Sequence, residues 1–231
     1  MKRFLGYTGA FIFLVTLSCI FRQKKKNILF FGDSITKRGL QPGGYITKLR
    51  QMLDSDNSIT GYELSAAGVD GNKVNDLFVR IDNDVLAKNP SIVVLWVGVN
   101  DVWHKLSGAG TAAGDFEKTY SAILKRLQSQ GVEVLLATPP VIGEKKNNAN
   151  MQDDDLNLYS KIIRKLSDQY NCKLVDIRKA FVEYDNDNNP ENKNSGILTI
   201  DGVHLSNKGN ALVAEKMMEV LAPILKTTLS N

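Results

Sequence analysis

Short apolar segments alternate with segments of helical periodicity along most of this chain. The apolar segments contain consecutive rather than alternating hydrophobic residues, which is typical of strands that are buried on both faces of a parallel sheet. Glycine or proline ends the strongest of them, as expected where a strand gives way to a loop. The predicted strands are residues 27–31, 62–64, 92–97, 132–137 and 173–175.

Five segments with apolar residues at helical spacing separate or follow these strands. They are residues 45–53, 74–85, 116–127, 156–170 and 211–225. This order predicts an α/β fold, a three-layer α/β/α sandwich with an open, mostly parallel five-stranded sheet. Folds of this kind bind ligands beyond the carboxyl ends of the strands. Two polar stretches, residues 143–152 and 185–195, are predicted to be surface loops.

The formal net charge of +4 is concentrated at the N-terminus. Residues 1–26 contain six basic residues and no acidic ones, so residues 27–231 carry 23 basic and 25 acidic side chains, a net charge of −2. A chain with this balance lacks the basic surface that nucleic-acid binding requires. Residues 27–231 are therefore expected to form one globular domain that binds no nucleic acid.

Residues 1–26 are expected to be a targeting segment rather than part of the fold. Lys2 and Arg3 precede an uncharged, mostly apolar stretch at residues 4–21, as in signal peptides. Residues 16–19, Thr-Leu-Ser-Cys, resemble the lipobox of bacterial lipoproteins, with the leucine one position later than usual. Cys19 is therefore a candidate for lipidation.

Three fates of this segment stay open. It can tether a lipoprotein to the membrane through Cys19, be cleaved from a secreted or periplasmic protein, or remain as an uncleaved anchor. If an anchor were kept, the basic residues at positions 22–26 would favour a cytoplasmic location for the part of the chain that follows it. We expect export to the cell envelope.

The chain contains two cysteines and two histidines. Cys19 lies in the targeting segment, so a framework of disulfides is excluded. His104 and His204 lack the paired cysteines and the spacing of a zinc cluster. We therefore expect neither a metal nor another cofactor. The sequence does not indicate an oligomeric state.

A Gly-Asp-Ser sequence at residues 32–34 directly follows the first predicted strand. This position places Ser34 at the carboxyl edge of the sheet, where the site is expected. A serine between a strand and a helix often only caps the helix, because its hydroxyl accepts a hydrogen bond from a free backbone N–H. To act as a nucleophile, the hydroxyl needs a base that takes its proton.

His204 is the candidate base, and Asp201 precedes it by three positions, just before the last predicted helix. Residues three apart in a helical turn lie on the same side, so the Asp201 carboxylate can hold the imidazole and stabilise its protonated form. An isolated Asp-x-x-His sequence is weak evidence, since a lone histidine is more often structural. His104 is a second candidate base, although a place in a pocket wall beside Trp103 or on the surface suits it better.

Two further segments follow predicted strands and offer hydrogen-bond donors for an oxyanion. Residues 98–101, Gly-Val-Asn-Asp, place the side-chain amide of Asn100 at the sheet edge. Gly68 follows the weaker strand and offers a backbone N–H that no side chain obstructs. Each segment also has a plain interpretation as a turn. The glycine-rich residues 108–114 are interpreted as a flexible loop near the site, because their spacing does not fit a dinucleotide-binding loop.

Four segments, taken in order, resemble the sequence blocks of the SGNH hydrolase superfamily, also called GDSL-like esterases and lipases. They are residues 32–34, the segment around Gly68, residues 98–101 and residues 201–204. The resemblance covers about residues 27–220 and departs from the family name at Ile35, where that name records a leucine. It implies the flavodoxin-like fold of that superfamily. No Gly-x-Ser-x-Gly sequence surrounds Ser34, which disfavours an ordinary α/β-hydrolase.

The resemblance assigns a role to each candidate residue. Ser34 is implied as the nucleophile, His204 as the general base and acid, and Asp201 as the residue that orients His204. The implied oxyanion hole consists of the Ser34 N–H, the Gly68 N–H and the side-chain amide of Asn100.

The implied activity is that of a serine esterase, which hydrolyses carboxylic esters through an acyl-enzyme intermediate. Small-molecule esters with short acyl chains, or lysophospholipids, are the expected substrates, since no long apolar insertion is visible that would bury a fatty chain. Two kinds of alternative remain. The first is a carbohydrate O-acetylesterase or an acyltransferase of the same superfamily, and the second is a non-catalytic envelope-binding protein that has kept only the fold.

Overall fold

Five parallel strands form the centre of the computed structural model, which describes residues 25–227. The strands are β1 (Lys26–Gly32), β2 (Tyr62–Gly68), β3 (Ile92–Trp96), β4 (Glu133–Ala137) and β5 (Lys173–Val175). Their order across the sheet is β2-β1-β3-β4-β5, and every neighbouring pair is parallel. The predicted five-stranded sheet is therefore confirmed.

Helices of the described residues cover this sheet. They are α1 (Ser34–Gly39), α2 (Tyr45–Ser55), α3 (Val74–Asp84), α4 (Val99–Trp103), α5 (Ala113–Gln128), α6 (Asp153–Gln169), α7 (Ile177–Asn188) and α8 (Asn207–Thr227). Helical spacing in the sequence predicts α2, α3, α5, α6 and α8. It does not predict α7 or the short helices α1 and α4, which begin directly after β1 and β3.

Alternate residues of each strand face opposite layers, as the pleat of a strand requires. Phe30 of β1 and Val94 of β3 belong to one buried cluster, together with residues of α2, α7 and α8. Phe31 and Leu95 belong to a second cluster, together with residues of α3, α5 and α6. Helices therefore cover both faces of the sheet, which confirms the predicted three-layer sandwich.

The prediction of a surface loop at residues 185–195 is wrong for its first four residues, because α7 continues to Asn188. Asp176 caps the start of α7. Ile177 and Phe181 are fully buried in the core. These contacts stabilise the helix and offset the low helical propensity of the Asp and Asn residues in its last turn.

The predicted targeting segment lies almost entirely outside the described residues, and so does the candidate lipidation residue Cys19. Its assignment to residues 1–26 therefore stays a prediction. Between residues 25 and 227, no helix is both long and apolar enough to cross a membrane.

Asp185 is a buried carboxylic acid in the last turn of α7. The residue is 2% exposed, and neither carboxylate oxygen has a hydrogen-bond partner within residues 25–227. Burial raises the pKa of Asp185 to about 7, with a further rise from the charge of Glu144 and an opposing effect from Arg178. The folded protein therefore holds a proton on Asp185 that an exposed aspartate would have lost.

We expect Asp185→Asn to stabilise the protein more as the pH rises. In the unfolded chain Asp185 titrates near its ordinary pKa of about 4, whereas the folded protein keeps the proton to about pH 7. Ionisation therefore disfavours folding progressively between about pH 4 and 7, and the full effect persists above that range. Asparagine has a similar shape and never ionises, so its advantage in melting temperature should grow over the same range.

Thermal unfolding of the parent and the variant from about pH 4 to 9 measures this effect. Asp187→Asn is the matched control, because Asp187 is an exposed acid on the same helix. The advantage in melting temperature should grow more with pH for Asp185→Asn than for Asp187→Asn. An equal pH dependence of the two variants would show that Asp185 does not titrate as described.

Candidate active site

Ser34 lies at the carboxyl end of β1, as the first residue of α1. The residue that caps α1 is Asp33, whose carboxylate accepts a hydrogen bond from the N–H of Ile35 at 2.9 Å. Ser34 is therefore not the helix cap, the alternative that the sequence left open. Its hydroxyl is available for another partner.

Gly68, at the end of β2, allows α1 to approach the sheet closely. It lies opposite Gly32 in the pairing of β1 and β2. A Cβ atom at Gly68 would collide with the backbone of Lys37 and with the carbonyl of Asp33. Only glycine fits at this position, and the fit places Gly68 against the helix that begins with Ser34.

The structure brings Ser34, His204 and Asp201 together in one series of hydrogen bonds. The Ser34 Oγ lies 3.1 Å from the Nε2 of His204. The Nδ1 of His204 lies 2.7 Å from the Oδ2 of Asp201. The other carboxylate oxygen of Asp201 accepts hydrogen bonds from the backbone N–H groups of Val203 at 3.0 Å and His204 at 2.7 Å.

The contact with Asp201 determines how the His204 ring faces Ser34. A neutral imidazole that donates from Nδ1 to a carboxylate presents the lone pair of Nε2 on its other side. Burial raises the pKa of Asp201, but hydrogen bonds from the His204 ring and from the N–H groups of His204 and Val203 outweigh it, so the pKa lies below its usual value. Asp201 is therefore ionised at neutral pH and stabilises positive charge on the ring.

The segment that carries this pair is not helical, in contrast to the prediction. Residues 201–204 form a loop that is closed by a hydrogen bond from the N–H of Ile200 to the carbonyl of His204 at 2.8 Å. α8 begins only at Asn207. Asp201 reaches His204 because the loop folds back on itself, and its carboxylate binds N–H groups within the loop.

Glu144 anchors the segment before His204, a role that no sequence motif predicts. Its buried carboxylate accepts hydrogen bonds from the N–H of Ile197 at 2.9 Å and from the N–H and the hydroxyl of Thr199, the latter at 2.7 Å. The Thr199 hydroxyl in turn accepts from the N–H of Gly202 at 3.1 Å. A glutamate in a polar, irregular stretch looks exposed from the sequence, so only the fold reveals this contact.

Asn100 lies in the first turn of α4, directly after β3, and is buried. Its amide donates one hydrogen bond to the carbonyl of Asn72 at 3.1 Å, which leaves the second amide hydrogen for another acceptor. The neighbouring Asp101 binds the N–H of Val74 with both carboxylate oxygens at 3.2 Å. Burial raises the pKa of Asp101 to about 6. These contacts fix Asn100 to the start of α3.

His104 does not take the place of His204. It begins a short 3-10 helix, His104–Ser107. Its ring lies 6.0 Å from the ring of Trp103, and the imidazole bound to Ser34 is that of His204. The glycine-rich segment that follows comes after no strand, which agrees with its interpretation as something other than a dinucleotide site. It is a loop only at residues 108–112, because Ala113 and Gly114 already belong to α5.

A cleft of about 350 Å³ opens beside Asp201. Residues of the irregular connection predicted at 143–152 form one of its walls. Trp103 contributes another wall, and its ring lies 6.4 Å from the His204 ring in an edge-on orientation. The cleft therefore lies beside the pair of Asp201 and His204. A larger cavity of about 550 Å³ lies near the amino end of β2, away from these residues.

The parallel sheet and the serine, histidine and aspartate bonded in series at its carboxyl edge are the arrangement of a serine hydrolase. The chain belongs to the GDSL-like lipase/acylhydrolase family, whose sequence profile matches residues 30–212. The resemblance to the SGNH superfamily is thereby confirmed. The enzyme is a carboxylic ester hydrolase that acts on small-molecule esters.

Three relatives show how far the similarity extends. An acetylxylan esterase of Geobacillus stearothermophilus is 25% identical over 209 residues, which are 84% of this chain and 92% of that protein. A solved acetyl xylan esterase is 55% identical with a TM-score of 0.81, over 84% of this chain and 98% of that one. A solved α/β hydrolase from the metagenome of Lake Arreo, Spain, is 24% identical with a TM-score of 0.75, over 85% and 94%. The third supports the fold alone.

Proposed function

We propose that this chain is a carbohydrate O-acetylesterase, which removes acetyl groups from the hydroxyls of a xylan-type oligosaccharide. The observation that carries the proposal is the hydrogen-bonded series of Ser34, His204 and Asp201 beside a cleft that combines an indole ring with amide side chains. The 55% identity to an acetyl xylan esterase supports this choice of substrate. It favours the carbohydrate alternative over lysophospholipids.

In the proposed mechanism the Ser34 hydroxyl attacks the acetyl carbonyl while the Nε2 of His204, 3.1 Å away, takes its proton. Asp201 stabilises the resulting imidazolium through its 2.7 Å contact with Nδ1. His204 then gives the proton to the departing sugar oxygen, and the acetyl group stays on Ser34 as an ester. Water next attacks this ester with the same help from His204, and acetate leaves as the Ser34 hydroxyl regains its proton.

Negative charge develops on the carbonyl oxygen in both halves of the reaction and requires donors that are already in place. We assign this role to the N–H groups of Ser34 and Gly68 and to the second amide hydrogen of Asn100. The three residues lie at the carboxyl ends of β1, β2 and β3, where β1 is the neighbour of both other strands.

The cleft suits a sugar ring better than a fatty chain. Trp103, Leu106 and Met151 expose apolar surface in it, against which the apolar face of a sugar can pack. The exposed side chain of Asn194 adds an amide donor and acceptor for hydroxyl groups. A fatty chain gains about 0.8 kcal/mol per buried methylene, and a cleft open to solvent buries few of them.

The protein is expected to release acetate from acetylated xylooligosaccharides and to prefer the shortest acyl chain. The specificity constant kcat/KM should fall along a series of p-nitrophenyl esters from acetate to palmitate, because each added methylene finds little apolar burial. The same constant should be low for lysophosphatidylcholine. A maximum at the longest chains or with the lysophospholipid would replace this proposal with the lipid alternative.

Trp103→Ala, assayed on the same substrates, tests whether the cleft binds the sugar. We expect a higher KM for the acetylated oligosaccharide and little change for p-nitrophenyl acetate, which is too small to need the indole. Phe78→Ala is the control, because Phe78 is an aromatic residue with 45% exposure against 36% for Trp103 and does not line the cleft. An equal loss on both substrates would mean that Trp103 supports His204 and does not bind sugar.

A further inference from the structure

Arg80 of α3 binds residues next to those that carry the assigned oxyanion donors. Its Nη2 donates to the carbonyls of Gly32 at 2.8 Å and Ala67 at 3.0 Å. Its Nε donates to the Oδ1 of Asn72 at 2.7 Å, and its Nη1 donates to Asp84 at 2.7 Å. The side chain is 16% exposed. One guanidinium therefore joins the carboxyl ends of β1 and β2 to the loop before α3.

The bond to Ala67 acts on the donor of Gly68, because the Ala67 carbonyl and the Gly68 N–H belong to one peptide group. In a trans peptide these two groups point in opposite directions. With its carbonyl bound to Arg80, the peptide directs the Gly68 N–H away from the guanidinium. A charged donor at the carbonyl also polarises the peptide and strengthens its N–H as a donor.

The bonds of Arg80 to Asn72 and Gly32 act on Asn100 and Ser34 through these neighbours. Asn72 accepts from Arg80 with its side-chain oxygen and from the Asn100 amide with its backbone carbonyl. Because one amide hydrogen is held in this way, the direction of the other is fixed. Gly32 ends β1 and leads into the turn that begins with Asp33 and Ser34, so its carbonyl ties Arg80 to the third donor.

We propose that Arg80 is the positioning residue of the oxyanion hole, which sets the relative placement of the donors of Ser34, Gly68 and Asn100. The inference rests on the proposed function, since it takes these three groups as the oxyanion donors. Arg80 acts through its neighbours and contacts no reacting atom. The planar guanidinium can donate in several fixed directions at once. The ammonium of lysine is a single charged group on a flexible chain and cannot hold the same partners in place.

The test is Arg80→Met, which keeps an apolar stem beside Phe31 and removes every donor. We expect kcat to fall by about 10- to 100-fold, because a misplacement of about 1 Å can cost up to about 100-fold. KM for p-nitrophenyl acetate should change little. Inactivation by diethyl p-nitrophenyl phosphate should slow by a similar factor, since its phosphoryl oxygen uses the same donors. Arg80→Lys should recover only part of the loss.

Two controls separate positioning from a general effect on the fold. Asp84→Asn removes the ion pair of Arg80 and leaves its bonds to Gly32, Ala67 and Asn72. Arg126→Met removes an arginine of α5 that pairs with Asp82 of α3. Both should keep the parental kcat. Two results would overturn the inference. The first is a fall in the activity of Arg80→Met that is fully explained by a smaller fraction of folded protein. The second is a parental kcat for the folded variant.

Asn72→Ala serves as the second variant if Arg80→Met does not fold. It removes the side-chain oxygen that Arg80 binds and keeps the backbone carbonyl that binds Asn100. A smaller fall in kcat is therefore expected. An unchanged kcat would overturn the inference. Ser34→Ala, measured beside these variants, distinguishes a failure of the proposed function from a failure of the role of Arg80. An inactive Ser34→Ala with fully active Arg80 and Asn72 variants would leave the proposed function in place and remove only the role of Arg80.

Discussion

Replacement of Ser34 or His204 by alanine is expected to lower kcat by roughly 10⁴- to 10⁶-fold, and the double variant should be scarcely worse than either single variant. The reason is that the two residues transfer one proton between them across the 3.1 Å contact of Oγ and Nε2. Once either partner is missing, the other has nothing left to contribute. Steady-state hydrolysis of p-nitrophenyl acetate by the purified, folded variants measures this effect.

His104→Ala is the control for this prediction, because His104 is the other histidine of the chain and its ring packs beside Trp103. It should keep most of the parental activity. If Ser34→Ala retained more than about a tenth of the activity, where residues that act as a unit cost many orders of magnitude, the assignment of the nucleophile would be wrong. If His104→Ala were the inactive variant, the assignment of the base would be wrong.

The second large effect is expected for Asn100→Ala, with kcat lower by roughly 100- to 1,000-fold and KM little changed. Loss of one oxyanion donor costs about 3 to 4 kcal/mol of transition-state stabilisation. The amide contributes mainly there because the charge on the carbonyl oxygen develops only as the reaction proceeds. Kinetics with p-nitrophenyl acetate, together with thermal unfolding, separate this effect from instability.

Asn100→Asp is the matched variant, since it keeps the shape of the side chain and lacks the N–H donors. It should be at least as impaired as Asn100→Ala, because a carboxylate would also repel the developing oxyanion. A folded Asn100→Ala protein with an unaltered turnover number would remove Asn100 from the oxyanion hole.

The sequence predicts a strand well where the strand is uniformly apolar. β3 reads Ile-Val-Val-Leu-Trp and is buried throughout, and its prediction at 92–97 is one residue too long. β2 is predicted only at 62–64, whereas it continues to Gly68. Its second half consists of small residues that carry no apolar pattern. They join the sheet by pairing with β1, a contact between distant segments that local periodicity does not record.

In the site, too, the sequence reveals residues that stand in short local motifs and does not reveal those that act through contacts with distant parts of the chain. Ser34, Asn100 and His204 stand in short motifs beside strand ends or before a helix, so their order along the chain was enough to single them out. The residues that hold them have no such motif. Arg80 binds a carbonyl 48 positions away, and Glu144 binds an N–H 53 positions away. Their side chains look like ordinary surface charges until the fold brings their partners to them.

In the proposed mechanism the acetyl group passes through an ester on Ser34. The direct measurement is a rapid acid quench during turnover of an acetylated xylooligosaccharide, followed by proteolysis and mass spectrometry of the peptides. We predict one acetyl group on the peptide that contains Ser34, and none in the Ser34→Ala protein. An acetyl group on a different residue, or continued acetate release by folded Ser34→Ala, would contradict it.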